Sequence, residues 1–216
     1  MNDEEARLRS SMVEAMQALD ARGLNRGTSG NVSVRLDDGI LVTPSGVPPA
    51  RLTPESMVKV LAGGVVAPEQ LKPSSEWRMH WRLLERRPDA GAVVHCHSRH
   101  ATILACAGLA IPPVHYMVGV AGTASVPLAP YAVFGSEALA DGVVDVLGSG
   151  RAALMANHGQ VTVAPRLAQA VLIAEEIEEQ AAIYWGTLAV GGPRLLTEDQ
   201  MADVLERFGG YGQKTR

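Results

Sequence analysis

The amino-acid sequence predicts an α/β fold, a single domain with a mixed, mainly antiparallel central β-sheet covered by helices on both faces. The alternative fold class is α+β. With 216 residues, 47% of them hydrophobic, the chain is long enough for one well-packed core. Glycine-centred hairpin patterns come early, and helices alternate with strands later. No repeat or linker divides the chain, so we expect one domain over 1–216, with about 209–216 as a flexible tail.

The first element is predicted to be an amphipathic helix. Leu8, Met12, Met16 and Leu19 recur at helical spacing, and Gly23 ends the pattern. Acidic residues at the front of this segment suit the positive end of a helix dipole.

Two hairpins should follow this helix. Strands are expected at 32–36 and 40–43 around a glycine turn, and at 57–61 and 65–67 around a second one. The glycine pair at 27 and 30 precedes a strand, whereas a dinucleotide-binding fingerprint follows a strand and opens a helix. A Rossmann fold is therefore not predicted.

The second half of the chain alternates helical and strand patterns. Helices are predicted at 75–87, 99–107, 137–147, 167–188 and 198–208, and strands at 92–97, 154–156 and 160–163. The tight turn at 157–159 separates the last two strands.

Composition and charge exclude several classes of function. The formal net charge is −4 and the basic residues are scattered, so no nucleic-acid partner is expected. No apolar run approaches the roughly 20 residues that span a bilayer, and the acidic N-terminus is unlike a signal peptide. We therefore expect no membrane association and a cytoplasmic location. Cys96 and Cys106 are expected to be reduced.

Three histidines form the candidate metal site. His95 and His97 are separated by one residue on a predicted strand, so both imidazoles leave the same face. His158 lies in an Asn-His-Gly turn at the end of another strand, where it can reach the rim of the sheet. Such an H-x-H pair is also compatible with simple packing. Cys96, between the two histidines, should point the other way and serve as buried filler. His80 and His100 are predicted on helix faces.

Glu76 is the candidate acid-base residue. It lies at the start of a predicted helix after Ser74 and Ser75, where a carboxylate is also typical of a simple capping arrangement. The same helix start, together with segments 28–31 and 45–46, offers hydroxyls and backbone amides suited to a phosphate. Loops of this composition are usually ordinary turns, so the phosphate interpretation needs something else that places these segments together.

The motifs together resemble the class II aldolase family, which also holds sugar-phosphate 4-epimerases and the adducin head domain. The segments that carry the likeness keep the family's order and spacing, and they are 23–34, 43–46, 73–78, 92–97, 111–117, 129–135 and 157–159. The resemblance implies an aldehyde-lyase that cleaves a ketose 1-phosphate to dihydroxyacetone phosphate and an aldehyde. Fuculose 1-phosphate and 5-deoxy- or 5-methylthio-pentulose 1-phosphates are the candidate substrates.

The resemblance also implies roles for individual residues. Zn²⁺ would be held by His95, His97 and His158, with Glu76 as the base and a fourth ligand when no substrate is bound. Tyr116 would be a proton donor that reaches the neighbouring subunit's site in a homotetramer, so that active sites lie between subunits. The implied phosphate-binding residues are Thr28, Asn31, Ser45, Gly46, Ser74 and Ser75, and the implied aldehyde pocket contains Phe134 and Tyr211.

Motif residues distinguish this chain from other members of the family and from other mechanisms. The epimerase branch carries aspartate at the position of Glu76 and a further catalytic aspartate, and none lies between Tyr116 and Phe134. An adducin-type head would be expected to lack the metal histidines. A Schiff-base mechanism would need a desolvated lysine, and none of the three lysines of the chain, Lys59, Lys72 and Lys214, lies in a predicted apolar pocket.

Overall fold

A seven-stranded sheet forms the centre of the computed structural model, which describes residues 3–210. The strands are β1 (Asn31–Leu36), β2 (Gly39–Val42), β3 (Val58–Leu61), β4 (Ala92–Cys96), β5 (Leu128–Ala129), β6 (Ala152–Met155) and β7 (Gly159–Ala164). Their order across the sheet is β3-β2-β1-β4-β7-β6-β5. Only β5 and β6 are parallel, and the other neighbours are antiparallel. The predicted mixed, mainly antiparallel sheet is confirmed.

Helices cover both faces of this sheet, as predicted. They are α1 (Asp3–Ala21), α2 (Trp77–Arg86), α3 (Arg99–Cys106), α4 (Glu137–Leu147), α5 (Leu167–Ala189) and α6 (Glu198–Gly210). Buried side chains of α1, α3 and α5 form one apolar cluster, and those of α2 and α4 form a second cluster on the opposite face. No helix within residues 3–210 has an apolar stretch long enough to cross a membrane.

Strand β4 shows how the alternation of a strand divides these two clusters. Val94 and Cys96 pack into the cluster of α1 and α5, whereas Val93 packs into the cluster of α2 and α4. His95 leaves β4 on the same face as Val93, because successive side chains of a strand alternate. Cys96 is fully buried among apolar side chains and is not paired in a disulfide, which agrees with its prediction as buried filler.

The second predicted hairpin is wrong in its second strand. Residues 65–67 form no strand, and only a single bridge joins Leu61 to Val65. Gly63 and Gly64 both have a φ of +78°, so the chain turns too tightly to continue a ladder. The side-chain amide of Gln70 instead pairs with the backbone of Lys59 at distances of 2.7 and 3.2 Å, and so occupies the edge of β3.

Several boundaries differ from the prediction near the site. Strand β4 ends at Cys96, and the backbone N–H of His97 donates instead to the side chain of Asn25 at 3.1 Å. Helix α2 begins at Trp77 rather than at Ser75. The last helix continues to Gly210, two residues into the predicted tail, and the rest of that tail lies outside the described residues.

Arg35 of β1 ties the end of α2 to the sheet. Its guanidinium donates to the carbonyls of Leu84, Arg87 and Ala90, which lie at the C-terminal end of α2 and just beyond it. A cation at this end of a helix compensates the partial negative charge of its free carbonyls. The contact fixes the direction of α2, whose opposite end carries Glu76.

Candidate active site

Three imidazoles converge at the end of β4, as the sequence predicts. His95 lies on β4, His97 follows it, and His158 lies in the turn between β6 and β7. Pairing of β4 with β7 sets His95 opposite Val161 and brings this turn beside the end of β4. The candidate ligand atoms of the three side chains lie within 4.8 Å of one another, with ring centroids 4.8 to 4.9 Å apart.

The turn that carries His158 depends on two unusual backbone positions. Asn157 has a φ of 55°, in the left-handed region that asparagine tolerates better than most residues. A Cβ atom on Gly159 would lie 2.6 Å from the carbonyl oxygen of Cys96. Only glycine therefore allows β7 to begin this close to β4, and that approach places His158 beside His97.

A backbone carbonyl fixes the orientation of the His95 ring. His95 is fully buried, and its Nδ1 lies 2.8 Å from the carbonyl oxygen of Gln160. Since a carbonyl can only accept, Nδ1 donates, and Nε2 faces the other two imidazoles. Such an outer partner is typical of metal-binding histidines because it holds the ring and its tautomer.

The carboxylate of Glu76 completes the cluster. It lies at the N-cap position of α2, but its side chain makes no capping hydrogen bond. Its Oε2 is 3.2 Å from Nε2 of His95, and its Oε1 is 3.3 Å from Nε2 of His158. The Ser74 hydroxyl accepts from the backbone N–H of Glu76 at 3.3 Å, as in a capping arrangement, but the Glu76 carboxylate itself points at the imidazoles.

The Glu76 carboxylate and the three imidazoles shift one another's pKa values. Burial alone would raise the pKa of Glu76, but the imidazoles beside it and the amide of Asn31 outweigh burial and hold this pKa well below its usual range. Burial lowers the pKa of His95, yet the Glu76 carboxylate more than compensates and raises it. Burial and the charge on His95 lower the pKa of His97 to about 3 and that of His158 to about 4. These last two rings are therefore neutral near pH 7, with lone pairs free to bind a cation.

The donor set fits a divalent metal. Three imidazole nitrogens and one carboxylate oxygen are ligands that zinc and other first-row divalent ions accept. Oε1 of Glu76 is buried and has no hydrogen-bond partner within the described chain. A cation between the imidazoles and Glu76 would satisfy this oxygen. The chain therefore contains a three-histidine site able to hold a metal, with Glu76 beside it.

A cavity of about 340 Å³ opens beside the histidines. Its walls include all six predicted phosphate-binding residues, Thr28, Asn31, Ser45, Gly46, Ser74 and Ser75, together with Glu76, His97, His158 and Phe134. Within residues 3–210, no lysine or arginine lines it. An anion bound here would depend on hydroxyls, on backbone N–H groups and on the positive end of α2.

Backbone contacts bring the two serine segments of this cavity together. The N–H of Ser74 donates to the carbonyl of Thr43 at 2.9 Å, and that of Ser45 donates to the carbonyl of Lys72 at 2.9 Å. Pro44 and Pro73 form the bridge between these two hydrogen bonds. The two serine segments, which the sequence left open as ordinary loops, are therefore held side by side.

Comparison with known proteins agrees with this architecture. The model of the Class II Aldolase and Adducin N-terminal domain family matches residues 10–185. The chain belongs to this family.

Relatives in this family are similar over almost their whole length. A 5-methylthioribulose-1-phosphate/5-deoxyribulose-1-phosphate aldolase of Rhodospirillum rubrum is 41% identical over 209 residues, which cover 97% of this chain and 94% of the relative. An L-fuculose phosphate aldolase of Escherichia coli is 40% identical over 210 residues, with 97% of each chain covered. A solved L-fuculose 1-phosphate aldolase superposes with a TM-score of 0.91 at 32% identity and covers 97% of this chain and 98% of its own. The expectation of a class II aldolase enzyme is confirmed at the level of the family.

One residue that the family resemblance singled out lies away from the histidines, and another falls outside the part of the chain that the structure describes. Tyr116 is 52% exposed and lines a separate cavity together with residues of α6. Within one chain it is not among the residues that line the cavity beside the histidines. Tyr211, the predicted second aromatic of the aldehyde pocket, lies outside the described residues.

The structure adds residues that the sequence interpretation missed. Tyr131 lines the cavity near Phe134, and although it lies in the segment 129–135 that carries the resemblance, the sequence interpretation gave it no role. His80, interpreted from sequence as an ordinary helical histidine, is fully buried and contacts Asn31 and Ser33. The signal for His80 was its position four residues after Glu76, a spacing that places two residues on one side of a helix.

Proposed function

We propose that this chain is a zinc-dependent aldolase that reversibly cleaves a ketose 1-phosphate to dihydroxyacetone phosphate and an aldehyde. The observation that supports this most directly is that Glu76 and three imidazoles converge beside one cavity, which Glu76, His97 and His158 line. The other walls of that cavity carry hydroxyls and backbone amides and no basic side chain of the described chain. A metal beside a pocket of hydroxyls and backbone amides suits a substrate that carries a carbonyl and, close to it, a phosphate.

Zinc held by His95, His97 and His158 would supply Lewis-acid chemistry, drawing electron density from substrate oxygens. Glu76 is the proposed base, because its ionised carboxylate lines the cavity and lies beside the imidazoles that would hold the metal. In the condensation direction it removes a carbon-bound proton from dihydroxyacetone phosphate, and in cleavage it returns that proton. Asn31 donates to Oε2 of this carboxylate at 3.0 Å and holds it in place.

The phosphate is proposed to lie against Ser45, Gly46, Ser74 and Ser75, with Thr28 and Asn31 at the same cavity. Binding energy from the phosphate is remote from the reacting carbon and serves to hold that carbon in register with Glu76. Phe134, which is 67% exposed at the edge of the cavity, is proposed to contact the aldehyde part together with Tyr211.

Tyr116 is the proposed proton donor to the aldehyde oxygen, acting on the site of a neighbouring subunit. Its exposure and its separation from the histidine cavity of its own chain support this assignment. The enzyme would then be a homotetramer with active sites between subunits, and we propose that it works in the cytoplasm on small sugar phosphates. A single domain over 1–216 is proposed as well.

Three substrates are proposed on the strength of the names of relatives. They are L-fuculose 1-phosphate, 5-deoxyribulose 1-phosphate and 5-methylthioribulose 1-phosphate. An epimerase is the second candidate function, because a similar solved structure is described as "a putative aldolase/epimerase/decarboxylase". A dehydratase of the same family or a non-enzymatic adducin-head-like module would share the fold.

The test is a substrate panel with the purified, zinc-loaded protein. Each ketose 1-phosphate is supplied in turn, and dihydroxyacetone phosphate is measured by a coupled dehydrogenase, with substrates ranked by kcat/KM. We expect release of dihydroxyacetone phosphate from at least one substrate. Conversion without this product would identify an epimerase or dehydratase. A protein that retains no zinc and converts none of the substrates would favour the binding module.

A second arm of the test examines the Schiff-base alternative. Lys59 forms ion pairs with Glu5 and Asp38, and neither Lys59 nor Lys72 lines the histidine cavity. Lys214 lies outside the described residues. Borohydride added during turnover should leave the mass of the protein unchanged, and a trapped adduct would overturn the proposed mechanism.

A further inference from the structure

A buried chain of hydrogen bonds leads from β1 to the Glu76 carboxylate. His80 lies in the first turns of α2 and is fully buried. Its Nδ1 is 2.7 Å from the Ser33 hydroxyl, and its Nε2 is 2.5 Å from Oδ1 of Asn31. The amide of Asn31 in turn donates to Oε2 of Glu76 at 3.0 Å. His80 does not line the cavity, and its side chain is connected to the Glu76 carboxylate through Asn31.

The direction of every hydrogen bond in this chain follows from its end at Glu76. An ionised carboxylate only accepts, so Asn31 must present its NH₂ group to Glu76 and its carbonyl oxygen to His80. His80 must then donate from Nε2. A neutral imidazole with a proton on Nε2 accepts at Nδ1, and the Ser33 hydroxyl must donate to it.

The surroundings of His80 agree with a neutral ring. Burial, followed by the charge on His95, lowers the pKa of His80 to about 3, although Glu76 opposes this effect. A doubly protonated ring would place two donors against Asn31 and Ser33 and leave a buried positive charge. One donor and one acceptor match the two partners that the structure provides.

We propose that His80 is a positioning residue that fixes the orientation of the Asn31 amide and, through it, the Glu76 carboxylate. The proposal rests on the proposed function, in which Glu76 transfers the proton. Without a donor at position 80, the Asn31 amide is free to turn over and face Glu76 with its carbonyl oxygen. That arrangement sets two acceptors against each other and releases the carboxylate from its place beside His95.

Asn31 has a second reason to need this orientation. It is also part of the cavity wall, and only one of its two amide hydrogens is used by Glu76. The other hydrogen can donate to a bound ligand only while the NH₂ group faces this side. A single hydrogen bond from His80 therefore orients both the Glu76 carboxylate and the Asn31 amide in the cavity wall.

The experiment compares His80→Met, which removes the donor at similar volume, with His80→Gln, whose amide N–H can replace the imidazole Nε2–H. Zinc content and thermal unfolding are measured for both. We expect full zinc occupancy in both variants. In His80→Met, kcat/KM should fall by about 10- to 100-fold, the range found for outer partners of functional side chains. His80→Gln should recover most of this loss. Leu84→Ala, buried on the same helix, is the matched control, which should lose stability but keep its kcat.

Nitrogen NMR of the wild-type imidazoles provides a readout that needs neither a variant nor turnover. It should show His80 neutral with its proton on Nε2 and a lone pair on Nδ1. A proton on Nδ1, or equal losses in His80→Met and His80→Gln, would overturn the proposal. Failure of the proposed function has a different signature, namely a wild-type protein that cleaves no ketose 1-phosphate while the His80 tautomer is as expected.

Discussion

The Nε2 atom of His95 lies 3.0 Å from the Nε2 atom of His97. Two nitrogen ligands of a tetrahedral zinc, each about 2.0 to 2.1 Å from the ion, are about 3.3 Å apart. The pair is therefore within a few tenths of an ångström, by this estimate, of the spacing that a shared metal requires. His158 approaches the same point from the β6–β7 turn.

Removal of one imidazole should empty the site. We expect His97→Ala to reduce bound zinc from about one ion per chain to a small fraction after dialysis, because two remaining imidazoles are an incomplete ligand set. Metal analysis by mass spectrometry measures this directly. His115→Gln is the control, since His115 lies outside the cluster. Equal zinc in both variants would contradict the assignment of His97.

Glu76→Gln should separate metal binding from proton transfer. The three imidazoles remain, so zinc should stay bound, while kcat should fall by about 10²- to 10⁴-fold because an amide cannot accept the proton. Turnover and metal content are measured on the same sample. Glu55→Gln, on the short turn Pro54–Ser56 outside the cavity, should behave as wild type. Unchanged turnover in Glu76→Gln would remove Glu76 from the role of base.

The hydroxyl of Ser75 should contribute to phosphate binding. Loss of one hydrogen bond to a charged group is worth about 1.5 kcal/mol, so Ser75→Ala should raise KM by about tenfold with a smaller change in kcat. The inhibition constant of inorganic phosphate should rise by a similar factor. Ser56→Ala, outside the cavity, serves as the control. An unaltered phosphate inhibition constant would place the anion elsewhere.

The two cysteines should differ sharply in reactivity. Cys96 is fully buried, and burial raises the pKa of its thiol to about 12, so the reactive thiolate is scarce. Cys106 is exposed. A thiol reagent added to the native protein should label one site, and Cys106→Ser should abolish that labelling, as read by intact mass. Rapid labelling of native Cys106→Ser would show that Cys96 is accessible.

The pH dependence of stability should carry the signature of His80. Its pKa falls from 6.5 to about 3 on folding, so below about pH 6.5 the unfolded chain binds a proton that the native chain does not. The free energy of unfolding is therefore unaffected by His80 above that pH and decreases as the pH falls towards 3. The decrease is on the order of 2 kcal/mol at about pH 5. Urea unfolding of the wild type and His80→Gln at about pH 7 and 5 isolates the effect. Parallel losses in the two proteins would contradict it.

The local elements near the site were accessible from sequence because each has a strong periodic pattern and a clear end signal. Helix α4 has the predicted bounds Glu137–Leu147, where Ser136 caps the first turn and Gly148 follows the last one. The convergence of His95, His97 and His158 was accessible through the family resemblance, whereas the H-x-H spacing and the turn at a strand end alone left simple packing as an alternative.

The remaining features depend on contacts between distant residues. Nothing near Val65 reveals that the Gln70 side chain would occupy the edge of β3. The role of His80 depends on Asn31, 49 residues away, whereas the four-residue spacing from Glu76 shows only that the two residues lie on one side of a helix. The two-residue strand Leu128–Ala129 is too short for a periodic signal and is specified by its parallel partner β6.

The distance along the chain between His97 and His158 has a further consequence for the cell. Only the completed pairing of β4 with β7 unites the ligands, so an unfolded chain offers a metal little more than an isolated H-x-H pair. A cation that binds the native form alone adds to its stability by mass action, about 4 kcal/mol when free metal exceeds the dissociation constant a thousandfold. The abundance of this protein, and not only its turnover, would then follow the supply of metal.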